Sequence, residues 1–253
     1  MPRLILIPGL GTNRLLFEPQ RHFFDQELFL PDWIAPMQTR VEGKRAVPET
    51  LRDYSRRLSE RWKETVLARA DIRSGFWLGG VSFGGMIALE AAVYLAEEGL
   101  PPRGVFLIAS ARTSDSIPVG LRLGFRFGRL IGEKGLRRLR PWMVERVSRR
   151  EGLSELDARL FRRMAEGVEP ALVLWGMGAM DGWTFAEASW KSLASRGVRL
   201  HQIHGDRDWA FPVRRGHADR VVPNGRHLIN MTHAEVVNEY IEACMRRDAA
   251  AEP

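Results

Sequence analysis

Gly75-Phe76-Trp77-Leu78-Gly79-Gly80-Val81-Ser82-Phe83-Gly84-Gly85-Met86-Ile87-Ala88-Leu89-Glu90-Ala91 is the stretch on which the reading of this chain turns. Residues 75–78 form a short apolar run that predicts a buried strand ending in glycines. Residues 86–96, rich in Ala and Leu, predict a helix closed by Gly99 and Pro101-Pro102. Between them stands Gly80-Val81-Ser82-Phe83-Gly84, a G-x-S-x-G pattern. Its placement matters more than the pattern. A sharp strand-to-helix turn holds the central serine in a strained conformation with its hydroxyl exposed, and flanking glycines let the turn pass its neighbours. The helix N-terminus adds positive potential beside an oxyanion forming there. The bland alternative is a glycine-rich turn with an inert serine, against which the strand and helix flanks argue.

Outward from this turn, strand-like and helix-like segments alternate, which predicts a mostly parallel sheet with crossover helices. Residues 3–7 read as a buried strand ended by Pro8-Gly9-Leu10-Gly11, 13–24 as a helix, and 28–34 as a strand. Leu51, Tyr54, Leu58, Trp62 and Val66 recur at helical spacing, and 104–109 reads as another buried strand. From 112 to 195 the pattern is mainly helical. Strand character returns at 198–203 and, more weakly, at 220–222, and the chain closes in a helix over about 234–245. The simplest organisation is a core of residues 1–111 and 196–253 carrying a helical insertion of residues 112–195. Gly120, Gly124, Gly128 and Gly132 form a stripe of small residues, expected to be a close packing face within a soluble protein.

The 253 residues, 45% of them hydrophobic, suffice for one large α/β domain. The single cysteine, Cys244, excludes an intramolecular disulfide and is expected to be a small packed residue. No stretch approaches the roughly 18 apolar residues of a membrane span, and no secretory leader is evident, so a cytoplasmic location is the expectation. The net charge of +7 is concentrated: residues 121–150 hold ten Lys/Arg against Glu133 and Glu145. Such a segment suits a solvated helix face, or else contact with an anionic membrane surface, a phosphate-bearing substrate or nucleic acid. No nucleic-acid-binding module, metal-ligand spacing or nucleotide-binding glycine pattern accompanies it, so no nucleic acid, metal or cofactor is expected.

The serine turn, with its strand and helix, resembles the α/β-hydrolase superfamily, and the resemblance extends over most of the chain outside 112–195. It implies an α/β-hydrolase fold with a helical lid at 112–195. Because the first strand begins at residue 3, the two N-terminal strands of many members are expected to be missing. By the same resemblance Ser82 is the nucleophile, and backbone N–H groups of Leu10 and Phe83 form the oxyanion hole. Pro8 replaces the family's usual His before Gly9. His204-Gly205-Asp206-Arg207-Asp208-Trp209-Ala210-Phe211-Pro212 is similar to the family's acid-bearing run and puts Asp208 at the acid position, with Asp206 a local competitor. Gly225-Arg226-His227 resembles the loop of the base; His233 is the rival, though Thr232-His233-Ala234-Glu235 reads as a helix-capping box. His22, His201, His204 and His217 lack such context and are expected to be surface or packed residues.

The resemblance thus implies a serine hydrolase that cleaves a carboxylic ester through a covalent acyl-enzyme. An acyl thioesterase is the alternative, and a hydrolase-fold receptor without turnover is the alternative from another class. The apolar, aromatic stretch containing Trp175, Met177 and Trp183 is a candidate acyl pocket, or else the glue between lid and core.

Overall fold

The computed structural model describes residues 3–39, 47–68, 75–113, 116–213 and 218–250. Its strands are β1 (Leu4–Ile7), β2 (Leu28–Phe29), β3 (Gln38–Thr39), β4 (Val47–Pro48), β5 (Trp77–Val81), β6 (Gly104–Ile108), β7 (Arg199–Gly205) and β8 (Arg220–Val222). Six of them make one sheet in the order β2-β1-β5-β6-β7-β8, with every pairing parallel. The apolar runs of β1 and β6 explain this arrangement: all their residues are buried, as strands covered on both faces require. From β1 the chain goes outward to β2, then returns to continue on the other side with β5. That reversal leaves a crevice beyond the C-terminal ends of β1 and β5, where open α/β sheets bind ligands.

Helices cover both faces. On one side α2 (Leu51–Trp62) and α3 (Phe83–Glu97) bury Leu51, Tyr54, Leu58, Met86 and Leu89. On the other, Phe17 in the turn before α1, Phe24 in α1 (Glu18–Phe24), and Val237 and Ile241 in the C-terminal helix pack against Leu4, Leu6 and Phe106. Between β6 and β7 run α4 (Val119–Glu151), α5 (Glu155–Glu166), α6 (Pro170–Asp181) and α7 (Glu187–Ser195). The chain ends with α8 (Ile229–Thr232) and α9 (Ala234–Ala250). No strand precedes β1 among the described residues.

Several boundaries differ from the sequence reading, each for a local reason. The strand expected over 28–34 stops at Phe29, because Pro31 has no N–H to donate to a ladder. The strand expected to end at 78 instead runs through Gly79 and Gly80 to Val81, because the glycines admit close neighbours. A Cβ on Gly79 would lie 2.8 Å from the Phe106 Cβ. The glycine stripe is not a continuous packing face: only Gly128 is tight, against the Met177 sulfur. Gly120 and Gly124 are open, and Gly132 breaks α4 with φ 67°. Thr232 ends α8, its hydroxyl turned back to the Leu228 carbonyl at 3.2 Å, rather than opening a capping box. Cys244 is buried as expected, and His217 lies outside the described residues.

Candidate active site

Ser82 occupies the turn between β5 and α3 with φ 55° and ψ −121°, a left-handed backbone that L residues adopt only when their surroundings impose it. Three hydrogen bonds impose it here. The Ser82 N–H donates to Ile108 O at 2.9 Å, and its carbonyl accepts from Gly85 N at 3.0 Å and Ser110 Oγ at 2.6 Å. The two glycines of the motif are sterically required. A Cβ on Gly80 would fall 2.3 Å from the Gly84 carbonyl carbon, and one on Gly84 would fall 2.1 Å from Ile7 O. The same closeness seats the end of β1 against the turn, with Gly9 close to the Ser82 side chain. Leu10 comes next in that loop, and Phe83 is the first residue of α3, in the turn whose N–H groups a helix leaves without internal partners.

The loops after β7 and β8 are held together by a second glycine contact. A Cβ on Gly205 would lie 2.3 Å from Gly225 O, and Arg207 N donates to that same carbonyl at 2.8 Å. This closeness sets the Asp208 carboxylate against the imidazole of His227, whose Nδ1 lies 2.9 Å from Oδ2 and 3.1 Å from Oδ1. Oδ1 also accepts from Ala210 N at 2.8 Å and Phe211 N at 2.9 Å. With Nδ1–H donating to the carboxylate, Nε2 is left as the acceptor. Asp206 is exposed and contacts neither histidine, and His233 bonds to Thr232 Oγ1 at 2.9 Å, away from Asp208.

Burial alone would raise the Asp208 pKa, but His227 and His204 outweigh it and hold the carboxyl well below its ordinary range. Burial alone would lower the His227 pKa, but Asp208, with a smaller contribution from Glu151, raises it above the ordinary value.

Ser82 and His227 line one cavity of about 380 Å³, together with Gly9 and Leu10. No hydrogen bond joins the Ser82 hydroxyl to His227 among the described residues. The rest of the lining is largely apolar, including Leu121, Phe125, Leu136, Val144, Phe161 and Met180. Its one Lys or Arg side chain, Arg140, donates to Glu166 O at 3.2 Å and Val168 O at 2.9 Å. Of the three proposed pocket residues, Met177 lines this cavity, while Trp175 and Trp183 do not. Trp175 is buried between Tyr54 and Phe83 and donates to Glu49 O at 2.8 Å. Trp183 donates to Glu90 at 3.0 Å. Both indoles join the helical layer to the core.

Two residues beside the site escape sequence reasoning. His204, expected to be a surface or packed residue, is buried with Nε2 3.1 Å from Asp208 Oδ2 and 2.5 Å from Phe211 O, while Gln202 approaches its Nδ1 at 3.4 Å. Its position four residues before Asp208 was the available signal. Glu151, the last residue of α4, is buried and accepts from Trp209 Nε1 and, at 2.8 Å, from Leu228 N. Trp209 comes directly after Asp208, and Leu228 directly after His227, so one carboxylate ties both loops to the helical layer. Nothing in Arg149-Arg150-Glu151-Gly152 signals this, since the partners lie 58 and 77 residues away. Among the described residues, no group of three or more His, Cys, Asp or Glu is arranged to hold a metal ion. No helix among them is long and apolar enough to cross a membrane.

Comparison with known proteins agrees with this architecture. The model of a family described as the alpha/beta hydrolase family matches residues 4–240. No curated protein matches the sequence. Among solved structures, a thermophilic esterase from Thermogutta terrifontis superposes with a TM-score of 0.72 at 18% identity, over 98% of this chain and 91% of that one. An enol-lactonase from Burkholderia xenovorans gives 0.65 at 17%, over 99% and 92%. A thioesterase of the prodiginine pathway in Streptomyces coelicolor gives 0.58 at 17%, over 95% and 89%. At these identities the likeness is one of fold.

Proposed function

The chain belongs to the alpha/beta hydrolase family, and on that premise we propose that it hydrolyses carboxylic esters of an apolar acyl group, with Ser82 as nucleophile, His227 as base and Asp208 as its orienting carboxylate. The observation that carries this reading is the strained Ser82 turn, which opens onto the same cavity as an imidazole already bonded to a buried carboxylate. In the proposed cycle the Ser82 oxygen attacks the ester carbonyl carbon as its proton passes to His227 Nε2. The carbonyl oxygen becomes an oxyanion held by the N–H groups of Leu10 and Phe83. Collapse breaks the ester bond, and the alcohol leaves with the proton from His227. Water, deprotonated by His227, then releases the acid and restores Ser82. Helices α4 to α6 act as the lid, and a cavity of about 380 Å³ with an apolar wall suits an acyl chain of moderate length. An oxygen ester is favoured over a carrier-bound thioester because the cavity's Arg140 is already committed to carbonyls of the helical layer.

The test is turnover of p-nitrophenyl esters of increasing chain length at pH 6 to 9, beside the matching acyl-CoA thioesters. Hydrolysis of the esters is expected, together with rapid labelling of the protein by a fluorophosphonate. Ser82→Ala is expected to lose the label and roughly 10³-fold or more of kcat. No ester turnover and no labelling would leave a binding protein, and acyl-CoA hydrolysis far above ester hydrolysis would leave a thioesterase.

A further inference from the structure

The break at Gly132 makes residues 119–131 a helical segment of their own at the start of α4. At about 100° per residue, this segment has two opposed apolar faces. Leu121, Gly124 and Phe125 line the cavity that holds Ser82 and His227. On the far side Val119, Leu123, Phe127 and Leu130 form one ridge and are 72%, 58%, 62% and 85% exposed. A contiguous apolar ridge of this kind marks a contact surface, unlike singly scattered exposed residues. Arg122, Arg126 and Arg129 fall on the helical edge between the two faces, on one side of the ridge. Arg126 remains 63% exposed although it pairs with Asp181 at 3.1 Å. The segment carries no acidic residue, and Lys134, Arg137 and Arg138, against the single Glu133, lie just beyond it.

We infer that residues 119–131 form a peripheral docking helix for an anionic lipid surface, with the ridge entering the interface and the arginines meeting lipid phosphates. An apolar face bordered by arginines on a helix lying against the protein is the pattern of interfacial helices. The charge argues against a second copy of this chain as the occupant, since ridge-on-ridge contact would bring two arginine edges of like sign into one interface. Because the opposite face of the same segment lines the cavity, docking brings the segment that roofs the site against the lipid.

The experiment is co-sedimentation with vesicles of phosphatidylcholine alone and of phosphatidylcholine with 30% phosphatidylglycerol, at low and at physiological salt. Wild type is expected to bind the anionic vesicles and to prefer them over neutral ones, more weakly as salt rises. Leu123→Ser with Phe127→Ser removes exposed side chains only, so Tm and turnover of a short soluble ester are expected to stay at wild-type values while vesicle affinity falls roughly tenfold or more. Arg126→Gln with Arg129→Gln is expected to abolish the preference for phosphatidylglycerol. Wild type binding anionic vesicles no better than neutral ones, or the serine pair binding as wild type does, would overturn the inference. So would a wild-type dimer in sedimentation velocity that the serine pair dissociates, which would assign the ridge to self-association. Binding by Ser82→Ala is expected to match wild type, so failure here is distinguishable from failure of the ester reading.

Discussion

At the scale of single residues, the balance that matters is the one around His227. An imidazole accepts a proton only when neutral, yet its neighbour Asp208 favours the charged form and outweighs the burial that disfavours it. Since the raised pKa must be exceeded before the base is free, kcat/KM is expected to rise with pH, with its midpoint above the ordinary histidine value of about 6.5. Asp208→Asn removes the carboxylate charge and leaves the burial. The midpoint is therefore expected to move to lower pH, and the plateau to fall by roughly 10³–10⁴-fold as the tautomer is lost. Rates on a short p-nitrophenyl ester from pH 5 to 9 check both; an unmoved midpoint would assign the acidic limb to another group. The contact between positions 208 and 227 was legible through the family resemblance, because the runs that carry it, His204 to Pro212 and Gly225 to His227, are written locally. His204 and Glu151 were not, because what they do depends on which loops the fold brings beside them.

At the scale of elements, the C-terminal end of α4 acts as a brace. Glu151 accepts from Leu228 N and Trp209 Nε1, the Arg150 guanidinium lies 4.3 Å from the Trp209 ring, and Arg226 donates to Arg150 O. Glu151→Ala strands a buried N–H donor, which costs about 1–3 kcal/mol. A fall in Tm of several degrees is expected, with a loss of kcat as the His227 loop loosens. Glu151→Gln keeps an acceptor oxygen for Leu228 but turns an NH2 toward the Trp209 N–H, and is expected to recover part of the Tm. It also removes one of the charges that raise the His227 pKa, so the acidic limb should shift slightly to lower pH. Thermal melts and pH profiles of the two variants check this, and a wild-type Tm in both would show that the carboxylate braces nothing. The elements themselves were mostly legible: buried parallel strands announce themselves as unbroken apolar runs, and α2 as a 3.6-residue period. Their ends were less so. Glycines that look like strand terminators in β5 are instead required inside it by Phe106 and Gly84.

At the scale of the whole molecule, the cavity exists only where the C-terminal edge of the sheet meets the helical layer, so no single element predicts its lining. Helix α6 shows why. Its apolar residues surround the helix, and sequence cannot tell that Met177 faces the cavity while Trp175 faces Tyr54 and Phe83. The consequence is testable. Met177 already fills the space beside Gly128, where a Cβ would meet its sulfur at 2.8 Å. A larger side chain at 177 therefore has no room toward α4 and must extend into the cavity. Met177→Trp is expected to leave kcat/KM on acetyl and butyryl esters within a few-fold of wild type, while decanoyl esters lose roughly tenfold or more. The overpacking cost should stay within about 1–3 kcal/mol. Initial rates across a p-nitrophenyl ester series, read beside a thermal melt, check the shift. A folded variant whose chain-length preference is unchanged would mean that the acyl chain runs elsewhere, and that this apolar space serves packing alone.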